Sequence, residues 1–250
     1  MPIQTAWQPP SDPKLEVYLK PTKLCNPDHP RIIETAKKLS CNAKTPKEAA
    51  INIFYFVRDS IKWYPFPQKL LAAEEVLDCE YGTCYNKATL QIALLRCLNI
   101  PARYKHQKIK FELYLRAVPT GKIADFFLSF YPPQVITTFT EVYLNGRWLS
   151  AATTFDKQYN PERAKDWDGE SSVSAFKGDE ILEEMGTTAE IYKPDVEEAW
   201  RKAEKTPKEL VTMFEEILKL YSDLRRFNLK IEENLNSLME KLSLNYKLKM

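Results

Sequence analysis

The stretch YGTCYNKATL, Tyr81 to Leu90, decides how the rest of the chain is read. A glycine, a threonine and a cysteine stand directly before a run whose apolar residues continue through Ala88, Leu90, Ile92, Ala93, Leu94, Leu95 and Leu98. The spacing predicts a helix that begins at about Cys84, is apolar on most sides and therefore buried, and stops before Pro101. A cysteine at a helix start meets backbone N–H groups and the positive end of the helix dipole, which stabilise a thiolate. The same N–H groups suit a developing oxyanion. The plain alternative is a small buried hydrophobe, the usual fate of an unpaired cysteine. Cys97, inside the same helix, fits that alternative well.

Upstream, Thr45-Pro46-Lys47-Glu48 reads as a helix start. The hydroxyl can cap, proline suits the first turn, and the glutamate three residues on can reach back to the cap. That helix should run to about Ile61, before Tyr64-Pro65-Phe66-Pro67 breaks it. An amphipathic helix is expected from Arg31 to about Ser40, and the proline-rich residues 1–30 read as extended chain wrapping a body. Downstream, Val135 to Leu144 and Arg147 to Phe155 flank Asn145-Gly146. Both turn residues tolerate positive φ, so the three parts predict a type I′ hairpin. The register then sets Tyr143 against Trp148, Glu141 against Ser150, Phe139 against Ala152 and Thr137 against Thr154. Alternation puts Thr137, Phe139, Glu141, Ser150, Ala152 and Thr154 on one face.

Composition narrows the function classes. The chain has 250 residues, 44% of them hydrophobic and 12% aromatic, enough for a real core. A net charge of +2 offers no global basic field, so neither nucleic acid nor a membrane surface is an expected partner. The basic run Arg103 to Lys110 reads as a solvated strand face. No apolar stretch reaches membrane-spanning length, and MPIQTAWQPP has neither the basic nor the apolar region of a signal peptide. Five cysteines without scaffold-like spacing fit a reduced, cytoplasmic setting. With two histidines and no C-x-x-C, neither a structural zinc site nor any other cofactor is expected.

Residues 161–205 are polar and without strong periodicity, and read as an irregular connecting region or a lid. The tail, 206–250, repeats the capping design at Thr206-Pro207-Lys208-Glu209. It carries a heptad seam with Leu210, Ile217, Leu224, Ile231 and Leu238 at d, and Asn228 at one a position. The seam suits a homo-oligomer; the wider apolar face of its first half suits packing on the body.

The blocks YLKPT (18–22), DHPRI (28–32), TPKEAAINIFYFVRDSIKW (45–63), YGTCYNKATLQIALLRCLNIPAR (81–103) and TEVYLNGRWLSAATTFD (140–156) resemble the transglutaminase-like superfamily. This is the papain-related fold of cysteine peptidases, amidases and acyl transferases. The resemblance implies an α+β, transglutaminase-like (papain-like) core over residues 1–160, with helices packed on an antiparallel sheet, plus a C-terminal helical appendage. It also implies a nucleophile, Cys84, and a peptide or a small acyl or electrophilic substrate. The family histidine would fall at Thr137 and the family aspartate at Ala152, so both partners of the triad are replaced. The hairpin register independently puts these two positions on one face.

An ordinary thiol is only a few per cent ionised at neutral pH, and a positioned acid–base group contributes roughly 10²–10⁴-fold. Loss of the proton donor harms amide cleavage most and reaction with an activated acyl group least. His106 is a weak alternative base. Its parity matches Lys108 and Lys110, which predicts a solvent-facing ring. His29 reads as a capping or surface residue. Glu141 lies towards the turn, and Lys87, part of the family pattern, reads as helix-surface charge. Three readings follow: a thiol-dependent acyl-transfer or hydrolytic enzyme of altered mechanism, an inactive binding or scaffold protein, and a disarmed variant of a Cys-His-Asp enzyme whose Thr137 and Ala152 were introduced.

Overall fold

A computed structural model describes residues 7–64, 70–110, 133–191 and 223. The heptad tail, apart from Asp223, lies outside the described residues. Helices α1 (Pro30–Ser40) and α2 (Pro46–Ser60) lead to a two-residue strand, β1 (Lys62–Trp63). A short helix, α3 (Ala73–Cys79), precedes β2 (Tyr81–Gly82), which pairs in parallel with β1. Helix α4 (Cys84–Cys97) follows at once. Strands β3 (Ala102–Lys110), β4 (Gln134–Leu144), β5 (Arg147–Ser150) and β6 (Ile181–Thr188) form an antiparallel sheet in the order β5-β4-β3-β6. The fold is the expected α+β arrangement of helices on an antiparallel sheet.

The elements form for the reasons their sequences announce. At α2 the Thr45 hydroxyl accepts from the Glu48 N–H at 3.2 Å. The Glu48 carboxylate reaches back one residue further than expected, to the Lys44 N–H at 2.7 Å. α4 is buried along nearly its whole length, so its lack of an apolar stripe reflects contact on every side. Tyr104 on β3 donates to Thr89 at 3.2 Å, and Arg96 binds the Ala102 carbonyl at 2.9 Å, which lays α4 across the sheet. Asn145 and Gly146 take φ of 51° and 81°, and the hairpin register runs as expected through Glu141–Ser150 and Tyr143–Trp148. The Ala151 N–H still reaches the Thr140 carbonyl at 2.8 Å, but the Ala152 N–H turns to Val173, so no ladder continues to Phe139–Ala152 or Thr137–Thr154.

Two sequence expectations are corrected by the fold. Within residues 1–30, Pro13–Tyr18 forms a 3-10 turn with Leu15 buried, and the Trp7 indole donates to the Leu98 carbonyl at 2.8 Å. Residues 161–191, expected to be irregular, belong to the body. Trp167 packs on Phe54 with ring centroids 5.2 Å apart, Arg58 binds Asp166 at 2.8 Å, and β6 completes the sheet. As a charged edge strand, β6 lacks the apolar alternation that betrays its neighbours. Its Glu183 and Glu184 pair with Lys108 and Lys105, which occupies much of the basic run. Residues 192–205 lie outside the described residues. No helix among the described residues is long and apolar enough to cross a membrane, and none of their His, Cys, Asp or Glu clusters could hold a metal ion.

Candidate functional site

Cys84 is the first residue of α4 and is 5% exposed. Its placement follows from the two residues before it. Gly82 ends β2 so close to α4 that a Cβ there would stand 2.6 Å from Asn86 Cβ, so only glycine lets the strand pass into the helix at this angle. Thr83 stands at the N-cap with extended backbone, yet its hydroxyl makes no capping hydrogen bond. The Asn86 amide oxygen accepts from the Leu71 N–H at 3.1 Å and ties the approach to α3 to the same turn.

The side chain one turn on is a surprise. Lys87, expected on the helix surface, is fully buried. Its ammonium donates to the Ile61 carbonyl at 2.6 Å and the Arg58 carbonyl at 3.0 Å, at the C-terminal end of α2. The negative end of a helix dipole is a favourable place for a buried cation. Asp156, which the sequence reading passed over, is 2% exposed. Its carboxylate accepts the Trp63 N–H and the Tyr159 N–H, each at 2.8 Å. The TFD at the end of the family-like block was the signal that would have found it.

The two positions that the resemblance assigns to the family histidine and aspartate lie next to contacts with α4. Thr137 is completely buried on β4, and its neighbour Ile136 accepts a hydrogen bond from the Tyr85 hydroxyl at 2.8 Å. Ala152 is 7% exposed just beyond β5, and its neighbour Thr153 donates to Gln91 on α4 at 3.0 Å. The residue beside Cys84 thus touches the residue beside Thr137. Alternation gives Thr137 the parity of Phe139 and Glu141, as expected. Glu141 itself is engaged with Arg103 at 2.8 Å and Lys105 at 3.5 Å.

His106 is the clearest correction. Instead of facing solvent with Lys108 and Lys110, it is 1% exposed, on the parity of Tyr104 that faces α4. It sits where the β3–β6 register slips, so a strict alternation count from the lysines fails there. The Thr188 hydroxyl donates to the Glu190 carbonyl, and therefore accepts from His106 Nε2–H at 2.9 Å. Nδ1 then accepts from the Thr138 hydroxyl at 2.8 Å. Burial pushes the imidazole pKa down to about 4, so the ring is neutral at neutral pH. His29 caps α1, with Nδ1 accepting from the Arg31 N–H at 3.3 Å, as its sequence context suggested. Burial raises the thiol pKa of Cys25 to about 11 and of Cys97 to about 12.

At the rim of the site, Tyr64 stacks edge-on against Tyr81 with ring centroids 5.6 Å apart and donates to Asp223 at 2.7 Å. Asp223 is the only described residue of the tail.

A comparison with curated proteins finds no match. Among solved structures, a candidate cysteine protease from Cytophaga hutchinsonii aligns at 18% identity and a TM-score of 0.48, covering 72% of this chain and 48% of its own. A candidate protease from Parabacteroides distasonis aligns at 16% identity and a TM-score of 0.35, covering 54% of this chain and 24% of its own. This chain therefore spans about half of the first and a quarter of the second. At these scores the site rests on the chain's own residues. The transglutaminase-like superfamily model matches residues 33–153, a span that holds α2, α4, the β4–β5 hairpin, Cys84, Thr137 and Ala152. Over residues 33–153, just under half of the chain, this protein is similar to the transglutaminase-like superfamily.

Proposed function

We propose that this protein is a transglutaminase-like binding module that does not perform Cys-His-Asp chemistry and engages a peptide-like or small acyl ligand without turning over amides. One observation carries this reading. The chain has only two histidines: His106 is hydrogen-bonded to two threonine hydroxyls and His29 caps the first turn of α1. With Thr137 and Ala152 where the resemblance puts the family histidine and aspartate, the chain lacks the imidazole and carboxylate that the family pattern would set beside Cys84. Without that transfer, amide cleavage loses the roughly 10²–10⁴-fold that a positioned acid–base group supplies.

A second reading is favoured by the intact surroundings of Cys84, where Gly82, Asn86 and the start of α4 keep the nucleophile's seat. In it, Cys84 accepts an activated acyl group, such as a thioester, whose leaving group needs no proton donor. Steady-state hydrolysis of a peptide amide and of an alkyl thioester by the wild-type protein and Cys84→Ser separates the readings. The binding module predicts equal background rates for both proteins on both substrates. Thioester turnover lost in Cys84→Ser would replace it with the second reading. Amide turnover lost in Cys84→Ser would overturn both. Self-association through 206–250 remains part of the proposal and would be read from sedimentation of the full chain.

A further inference from the structure

We infer that Lys87 and Asp156 act as positioning residues: together they clamp β1, and through β1 and β2 they fix the start of the Cys84 helix. The chain of contacts is short. Lys87, on α4, holds the Ile61 carbonyl at 2.6 Å, and Asp156 holds the Trp63 N–H at 2.8 Å. These two bonds bracket Lys62, so an ammonium and a carboxylate grip the two ends of one three-residue segment. That segment contains β1, whose pairing edge belongs to β2. The Lys62 N–H reaches the Glu80 carbonyl at 2.9 Å, and the Tyr64 N–H reaches the Gly82 carbonyl at 3.2 Å. Two residues after Gly82 comes Cys84.

A strand pair of two residues each has little pairing energy of its own. What fixes it must come from outside the ladder. Asp156 supplies a charge-assisted acceptor from the segment after β5, and its other oxygen is held by the Tyr159 N–H at 2.8 Å. Rings of Trp63, Phe155 and Tyr159 pack about it, with Trp63 and Phe155 centroids 4.9 Å apart and Trp63 and Tyr159 4.8 Å apart. Lys87 closes the circuit by returning from α4 itself to the end of α2. Burying ions is costly when apolar groups of the same shape are available. Two such groups on one short segment therefore mark a demand for fixed geometry rather than for core volume. The inference concerns the placement of Cys84 and holds whether or not the thiol reacts with a substrate.

The test is the alkylation rate of each cysteine in the folded full chain, followed by peptide mass mapping across pH, for wild type, Asp156→Asn and Lys87→Met. Asparagine keeps the shape but turns a donor towards a donor, and methionine keeps the stem without the ammonium. Loosening of β1 is expected to raise the Cys84 rate about tenfold through local opening, and to change the shape of its pH profile. Cys25 and Cys97, buried in the body, should stay as slow as in wild type. Folded variants with an unchanged Cys84 profile would overturn the inference. So would a rise of Cys25 and Cys97 in step with Cys84, which marks a merely structural role. Should both variants fail to fold, wild-type hydrogen exchange decides. Trp63 and Tyr64 amides as slow as those inside α4 support the clamp, and loop-like exchange overturns it.

Discussion

The two sides of the candidate site are built differently. Around Cys84 the backbone is held by features that no other residue type would reproduce. Gly82 passes Asn86 too closely for a side chain, Asn86 receives the Leu71 N–H, and Lys87 reaches the end of α2. Across from it, Thr137 and Ala152 are small, and the titratable ring nearest in sequence, His106, is turned into a wall of threonines. A seat built from many backbone contacts holds the fold as well as the cysteine. A proton relay does little for the fold. The build of the Cys84 corner does not by itself argue for catalysis, since packing accounts for much of it.

The largest expected effect comes from refilling the second corner. Thr137→His with Ala152→Asp should confer Cys84-dependent thioester and amide hydrolysis, with a gain of roughly 10²–10⁴-fold over the unmodified chain. The readout is turnover by the double variant against the same variant carrying Cys84→Ser, beside a thermal melt. A folded double variant without any gain would show that the two corners do not meet in a working geometry, and would break the comparison just drawn. Both positions are buried, so some loss of stability is expected.

Next in size is the acid limb of stability. His106 has its pKa lowered to about 4 by burial, against about 6.5 for an unfolded histidine. Below pH 6.5 the unfolded chain binds a proton that the folded one refuses, so stability falls as pH drops and the loss is complete below about 4. The full difference is on the order of 3 kcal/mol. Denaturant melts of wild type and His106→Asn between pH 7 and pH 4 check this. The variant should be less stable at pH 7 and should decline less steeply. Equal slopes would mean that the ring is hydrated, and would reopen its use as a base.

Much of this was legible in the sequence. The helix from Cys84, the capped α2, the Asn-Gly hairpin and its register all rest on local chemistry: a cap hydroxyl, a proline at a first turn, two residues that accept positive φ. The family-like blocks and a register counted from the turn assigned Thr137 and Ala152 to one face, beyond the ladder that the structure forms as far as Glu141–Ser150. What was not legible depended on partners far away in the chain. Lys87 looks like surface charge until the carbonyls of Arg58 and Ile61 are brought to it. His106 looks solvent-facing because parity was counted along β3 alone, and β6, which covers it, is a charged edge strand without an apolar alternation. Asp156 is one carboxylate among many until its two backbone donors are known.

The smallest expected effect compares two threonines at two N-caps, and it bears most directly on the Cys84 corner. Thr45 caps α2 through its hydroxyl, whereas Thr83, at the corresponding place before Cys84, makes no such bond. Thr45→Ala should cost about 1 kcal/mol, the usual worth of a capping side chain. Thr83→Ala should cost less than about 0.5 kcal/mol, as expected where no special interaction is removed. Paired denaturant melts at neutral pH give both numbers. If Thr83→Ala proves as costly as Thr45→Ala, its hydroxyl serves the α4 start in solution, and the first-turn N–H groups beside Cys84 are capped like those of any structural helix. If it is near neutral, the helix start is built without its ordinary cap. The favourable field of the first turn is then left to the cysteine that follows, which is the arrangement a thiolate or an oxyanion would use.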